Sequence, residues 1–346
     1  TVVSGSTPKT SVEEYWNGNN CWVTPAELSD DVVVINDTIR KITDLAVKDT
    51  GLKPLSIGTV LLSSRAPIGK VAITGRVMYC NQGFKNLVCG ERIYNKYLFW
   101  FLKGKTEYLN SLGRGATFKE ISKEIVEGIN IPLPPLNIQK YIANTLDKTQ
   151  EIIDGYKKQL AELDNLIMSV FYEMFGDPVL NEKGWDVKPL QKCAEIVSGV
   201  TKGRDLTGKE VVNVPYLRVA NVQDGYIDIS DIKTIDVLPE DKVKYKLQRG
   251  DILLTEGGDP DKLGRGSVWY EEIPDCIHQN HIFRVRVDKD ILNPEYVSKL
   301  IGSDYGKRYF LKSAKQTTGI ATINSKQLKE FLVLCPPLDL QTKFAE

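Results

Sequence analysis

Gly250-Asp251-Ile252-Leu253-Leu254 repeats Gly58-Thr59-Val60-Leu61-Leu62, and further echoes lie on both sides of it. Upstream, Ser4-Gly5-Ser6-Thr7 recurs as Ser198-Gly199-Val200-Thr201. Downstream, Asn81-Gln82 falls near His278-Gln279, and Pro134-Pro135-Leu136 recurs as Pro336-Pro337-Leu338. Ile138-Gln139 follows the first double proline and Leu340-Gln341 the second. The order is kept and the offset drifts only from 192 to 202. Each match alone is short, but a common order at nearly one offset is the mark of a duplicated unit.

Each copy opens with short runs rich in β-branched residues: 32–35, 60–62 and 71–73 in the first, 214–219, 252–254 and 283–287 in the second. Helical patterns follow. Asn293 can cap a helix beginning at Pro294, where the missing N–H costs nothing. Asn324 with Gln327 three residues on reads as a capping box. The expected fold class is α+β: two similar β-rich domains in pseudo-two-fold repeat, joined by a long coiled-coil helix. The boundaries read as 1–136, a spacer at 137–176, a second domain at 177–338, and the start of a second, truncated long helix at 339–346.

The spacer runs from Asn137 to Phe175 without proline. Leu146, Ile153, Tyr156, Leu160, Leu163, Ile167, Val170 and Met174, with Thr149, follow alternating steps of three and four, the seam of a coiled coil. Gly176-Asp177-Pro178 supplies the stop. A rod of this length would span roughly 58 Å at ~1.5 Å per residue. With so little of a second helix to cover the seam, a homodimer through this helix is expected.

Composition sets limits. The chain has 346 residues, 42% of them hydrophobic, with a formal net charge of +0. Neither flank is strongly basic: residues 1–136 carry 16 Lys+Arg against 13 Asp+Glu, and residues 184–346 carry 24 against 24. Any affinity for phosphate must then come from local faces and from a partner. No run approaches the ~18 apolar residues of a membrane helix. The six cysteines form no CxxC pair, which argues against a zinc site or a disulfide framework and for the cytoplasm.

No catalytic constellation stands out. His278 and His281 have no acidic or cysteine partner at metal-ligand spacing in sequence. The glycine-rich stretch 256–266 is neither a Walker loop nor a dinucleotide fingerprint. Its Glu256, Asp259 and Asp261 could hold a metal, but the first copy has Ser63-Ser64-Arg65 and Lys70 there and lacks all three carboxylates. A duplicated active site would keep them, whereas a duplicated reader is free to change them.

What remains are polar loop clusters at matching places. The first copy offers Thr7 and Lys9, then Ser63, Ser64, Arg65 and Lys70, then Asn81 and Gln82, then Arg114, Thr117 and Lys119. The second offers Lys202 and Arg204, then Glu256, Lys262 and Arg265, then His278, Gln279, Asn280 and His281, then Lys315, Gln316, Thr317 and Thr318. Such side chains read base edges in double-stranded DNA and hold phosphates.

With these residues in view, the chain resembles the specificity subunit of type I restriction–modification enzymes. The closest wording is Val214-Pro215-Tyr216-Leu217-Arg218, Gly250 to Leu254, the 256–266 loop, Gln279-Asn280-His281-Ile282-Phe283, and Thr317-Thr318-Gly319-Ile320-Ala321-Thr322. The resemblance implies two target-recognition domains, each reading one half of a split DNA site. It implies helices that dock modification subunits, which bind S-adenosylmethionine and methylate adenine, and restriction subunits that join to cleave. It implies no catalysis by the specificity subunit itself and no cofactor bound by it. The alternatives are a metal-dependent restriction nuclease built on Glu256, Asp259 and Asp261, and a coiled-coil scaffold that binds only protein.

Overall fold

The computed structural model describes all residues except 30–31, 66, 116–118, 259–262 and 318–319, and omits the side chains of 316, 317 and 320 as well. The chain forms two compact units, Thr1–Lys158 and Gln159–Glu346, which divide inside the helix Leu136–Phe175.

The main sheet of the first unit runs in the order Val2–Ser4, Lys85–Leu87, Val60–Leu62, Val71–Thr74, Val34–Ile35. Only the last pair is parallel. The second unit repeats the first four strands in the same order as Ala194–Ser198, Ile282–Val287, Ile252–Thr255, Gly266–Val268, all antiparallel. A smaller sheet is duplicated as well. Trp16–Val23 lies between antiparallel Lys41–Ile42 and parallel Tyr79–Cys80, and Val212–Leu217 lies between antiparallel Lys233–Val237 and parallel Ile277–His278. Thus the sequence echoes mark a repeated topology.

The repeated Val-Leu-Leu and Ile-Leu-Leu runs are apolar throughout because the central strand divides two cores. Side chains alternate across a strand. Val60 and Leu62 therefore join one cluster with Leu98, Phe99 and Leu102, while Leu61 joins another with Val23, Met78 and Phe84. In the second unit Ile252 and Leu254 face Tyr296, Val297 and Leu300, and Leu253 faces Trp269 and Cys276. The repeated glycine is equally constrained: a Cβ at Gly5 would fall 2.2 Å from the Cys80 carbonyl oxygen, and one at Gly199 1.9 Å from that of His278. Only glycine admits so close an approach of two backbones.

Local helix signals act as the sequence indicates. Asn293 caps Pro294–Gly302 by accepting from Glu295 N–H, and Asn324 forms a capping box with Gln327 at Ser325–Lys329. The 40-residue helix Leu136–Phe175 ends at Gly176, where φ is +78°. Its last carbonyls find donors: the Trp185 indole bonds the Phe175 oxygen at 2.8 Å, and Lys183 Nζ reaches those of Glu173 and Met174.

The seam side chains from Leu146 to Val170 are 36% to 63% exposed. Met174, assigned to that seam from spacing, instead packs against the core of the second unit. The residues that anchor this end are Phe171 and Phe175, both fully buried. Phe171 stacks on Tyr296 with ring centroids 5.6 Å apart, and both pack edge-on to Phe344 of the helix Leu338–Ala345. Among the described residues no helix is long and apolar enough to cross a membrane.

Candidate nucleic-acid interface

In each unit three polar clusters that are distant in sequence meet at the end of the repeated central strand. In the first, Ser64 N–H donates to Gly83 O at 2.8 Å, and Ile121 N–H donates to Ser64 O at 3.0 Å. Arg65 and Arg114 both pair with Glu120 as backbone bridges. The segments carrying Ser64–Arg65, Asn81–Gln82 and Arg114 are thereby fastened together. In the second, Glu256 N–H donates to His281 O and Ile323 N–H donates to Glu256 O, each at 2.9 Å. Gly257–Gly258 pairs with Ile320–Thr322, which pairs with Lys315–Thr317. The same backbone junctions recur while the side chains they present differ.

The outward groups of the first unit are Thr7, Lys9, Gln82, Arg114 and Lys119, with Arg65, Lys70 and Asn81 half-buried. Thr7 Oγ1 donates to Gln82 Oε1, joining the Ser-Gly-Ser-Thr segment to the same surface. The second unit presents Lys202, Arg204, His281 and Lys315, with Glu256, Arg265, Gln279 and Asn280 half-buried. Arg204 is paired with Asp241 at 2.5 Å. His281 Nδ1 donates to Glu256 Oε2 at 2.5 Å.

Three sequence candidates lie inside instead. Ser63 and Ser64 are fully buried, and Ser63 Oγ both donates to Pro67 O and accepts from Lys70 N–H, closing its own turn. His278 is fully buried, its ring nitrogens 3.3 Å from the carbonyl oxygens of Tyr245 and Val197. Burial drives its pKa down to about 4, so the ring is neutral and structural. None of the three presents a side chain to a ligand. Thr117, Lys262 and Thr318, with Asp259 and Asp261 of the nuclease alternative, lie outside the described residues, as do the side chains of Gln316 and Thr317. Among the described residues no three His, Cys, Asp or Glu side chains gather as a metal site.

Sequence reasoning missed Lys85 and Glu120. Lys85 is 8% exposed, bonds Glu120 at 3.1 Å and reaches Ser64 Oγ at 3.4 Å, next to the residue whose backbone bridges Arg65 and Arg114. A lysine inside the strand-forming run Phe84-Lys85-Asn86-Leu87 was the available signal, since a buried ammonium needs a partner. Another pair was missed on the smaller sheet, where the Arg40 guanidinium lies 3.7 Å from the Trp16 ring centroid.

The helix joins the first unit through buried Ala143 and through Asp147, which accepts from Lys96 at 2.5 Å and from the Trp100 indole at 2.8 Å. Leu146, Ile153, Tyr156, Leu160, Leu163, Ile167 and Val170 remain on its exposed side.

Comparison with known proteins agrees with this duplicated arrangement. The sequence model for the type I restriction modification DNA specificity domain matches twice, over residues 1–165 and 182–346. The specificity subunit of the type I restriction enzyme MjaIX of Methanocaldococcus jannaschii is 30% identical over 99% of this chain and 82% of its own length. That of EcoKI of Escherichia coli K12 is 26% identical over 81% of this chain and 64% of its own. The S subunit of a type I system of M. genitalium shares the fold, with a TM-score of 0.50 and 16% identity over 99% of this chain and 84% of that one. With both halves matched, the chain belongs to the type I restriction–modification DNA specificity family.

Proposed function

We propose that this chain is the sequence-reading subunit of a type I restriction–modification assembly and carries no chemistry of its own. Each unit reads one half of a bipartite site in double-stranded DNA. The long helix separates the readers and docks methyltransferase subunits. S-adenosylmethionine is bound by those partners, and a restriction subunit joins the same assembly, in the cytoplasm where the DNA lies. The observation that carries this reading is the convergence of three polar clusters at the same strand end in both units, with the backbone junctions kept and the side chains changed. A frame conserved by duplication with its surface rewritten suits two half-sites of different sequence.

The near-zero net charge fits a reader that depends on partners for phosphate affinity. The exposed seam from Leu146 to Val170 calls for a second helix, and a second copy of this chain, antiparallel at that seam, is the occupant we propose.

The test is selection from a randomised duplex library by the full chain assembled with its methyltransferase subunits. Two short preferred blocks separated by a fixed unread gap are expected. One uninterrupted block, or none, would overturn the reading.

A further inference from the structure

Where the repeated strand ends, the two units share a backbone and differ in chemistry. Ser64 N–H meets Gly83 O in the first unit, and Glu256 N–H meets His281 O in the second. The first pair offers a buried hydroxyl and no side chain. The second offers a carboxylate and an imidazole, joined from Nδ1 to Oε2 at 2.5 Å. The other ring nitrogen, Nε2, lies 3.4 Å from Asn280 Nδ2.

In the neutral ring these two contacts select one tautomer. A carboxylate only accepts, so Nδ1 carries the proton; an amide nitrogen only donates, so Nε2 presents its lone pair. The Asn280 contact is at the long end of the hydrogen-bond range and is readily exchanged for a better donor. His281 is also open to solvent, its side chain 55% exposed.

We infer that His281 is a specificity-determining residue of the second unit, accepting through Nε2 from a base amino group in the major groove, with Glu256 as the positioning residue that holds its tautomer. This rests on the DNA-reading function proposed above. Only adenine N6 and cytosine N4 offer an amino donor in that groove, so the ring selects those bases against guanine and thymine at one position. Glu256 is then not itself a base reader, as its side-chain type alone suggested, because its Oε2 is committed to the ring. A base amino group on Nε2 displaces the Asn280 amide and frees it for the neighbouring base. The first unit has no such device at Gly83, so the effect belongs to one half-site.

The experiment uses the full chain assembled with its methyltransferase subunits and competition between duplexes differing at single positions. His281→Ala is expected to lose about ten-fold discrimination at one base pair of the second half-site, with first half-site preferences retained as the internal control of folding. At that position the amino group is then deleted, using purine for adenine or 2-pyrimidinone for cytosine. The wild-type complex should weaken about ten-fold and the His281→Ala complex no further. Glu256→Gln keeps an acceptor for Nδ1 and should retain the preference, whereas Glu256→Ala should lose it. An unchanged base profile in His281→Ala overturns the assignment, as does an equal loss on amino deletion with and without the ring. A wild-type complex with no sequence preference would instead overturn the DNA-reading function, and this assignment with it.

Discussion

Gln139 and Gln341 occupy equivalent places in the two units and make the same three hydrogen bonds. Gln139 Oε1 accepts from Tyr94 N–H, and its Nε2 donates to the carbonyls of Arg92 and Pro134. Gln341 Oε1 accepts from Asn293 N–H, and its Nε2 donates to those of Ile291 and Pro336. Both are fully buried. Each ties the first turn of the helix after a double proline to the loop that starts a core helix of its unit. A wrong amide would leave three backbone groups in partly buried surroundings unpaired, which is why the same residue serves twice.

Replacing Gln139 by Leu is therefore expected to cost roughly 3 kcal/mol, from about 1 kcal/mol for each of the three partly buried groups left without a partner. Gln139→Glu should be nearly as costly, because an ionised carboxylate cannot donate to Arg92 and Pro134. Urea unfolding gives the energy, and hydrogen exchange over residues 136–143 should rise. Unchanged exchange in Gln139→Leu would show that the lock does not hold the helix.

What the sequence made legible was whatever depends on local order. The repeat, the caps at Asn293 and Asn324, and the stop at Gly176 all follow from residue types at fixed short spacings. The fate of neighbours was harder to read. His278 and His281 are three residues apart, yet one faces the core and the other solvent, because Ile277–His278 is a strand and the chain turns before 281. Heptad counting likewise included Met174 and passed over Phe171 and Phe175. Their partners, Tyr296 and Phe344, arrive from far along the chain, and no local pattern announces them. The convergence of the polar loops has the same origin: backbone bridges between distant segments bring Arg65 and Arg114 to Glu120.

The pH dependence of stability should carry the mark of His278. Burial drives its pKa from 6.5 to about 4, so the folded state resists the proton that the unfolded chain accepts. Stability from this group is complete above pH 6.5 and falls as the pH drops toward 4, by roughly 3 kcal/mol in all. Asp275, held at about 2 by Lys246 and Lys242, acts only below the ordinary carboxylate range and leaves this window clear. His278→Cys, which installs the residue found at Cys80 in the other unit, should flatten the slope of the urea midpoint between pH 6.5 and 4.5. A variant with the wild-type slope would place the titration elsewhere.

If the long helix sets the distance between readers, its length should be written into the DNA site. Deleting seven residues, 153–159, removes ~10 Å of helix while nearly preserving the phase of the seam. At about 3.4 Å per base pair, the unread gap selected from a randomised library should shorten by about three base pairs. A deletion variant selecting the original gap would show that something other than this helix fixes the spacing.

The seam itself supplies the last expectation. Tyr156, Leu160 and Leu163 are each more than half exposed, and Ile152 and Leu166 beside them widen the apolar stripe. Exposed apolar surface of this extent is costly, at ~25 cal/mol per Å² that could be buried, and a partner helix with matching steps is its natural cover. The two ends of the helix are held by buried contacts: Ala143 and Asp147 in the first unit, Phe171 and Phe175 in the second. Leu160→Glu with Leu163→Glu should therefore spare both folds while placing carboxylates in the middle of the seam. Sedimentation at tens of micromolar should show a wild-type dimer and a monomeric double variant, with unchanged circular dichroism. A wild-type chain that sediments as a monomer at that concentration would mean that a second copy does not cover this seam, and would turn the search to helices of the methyltransferase partners.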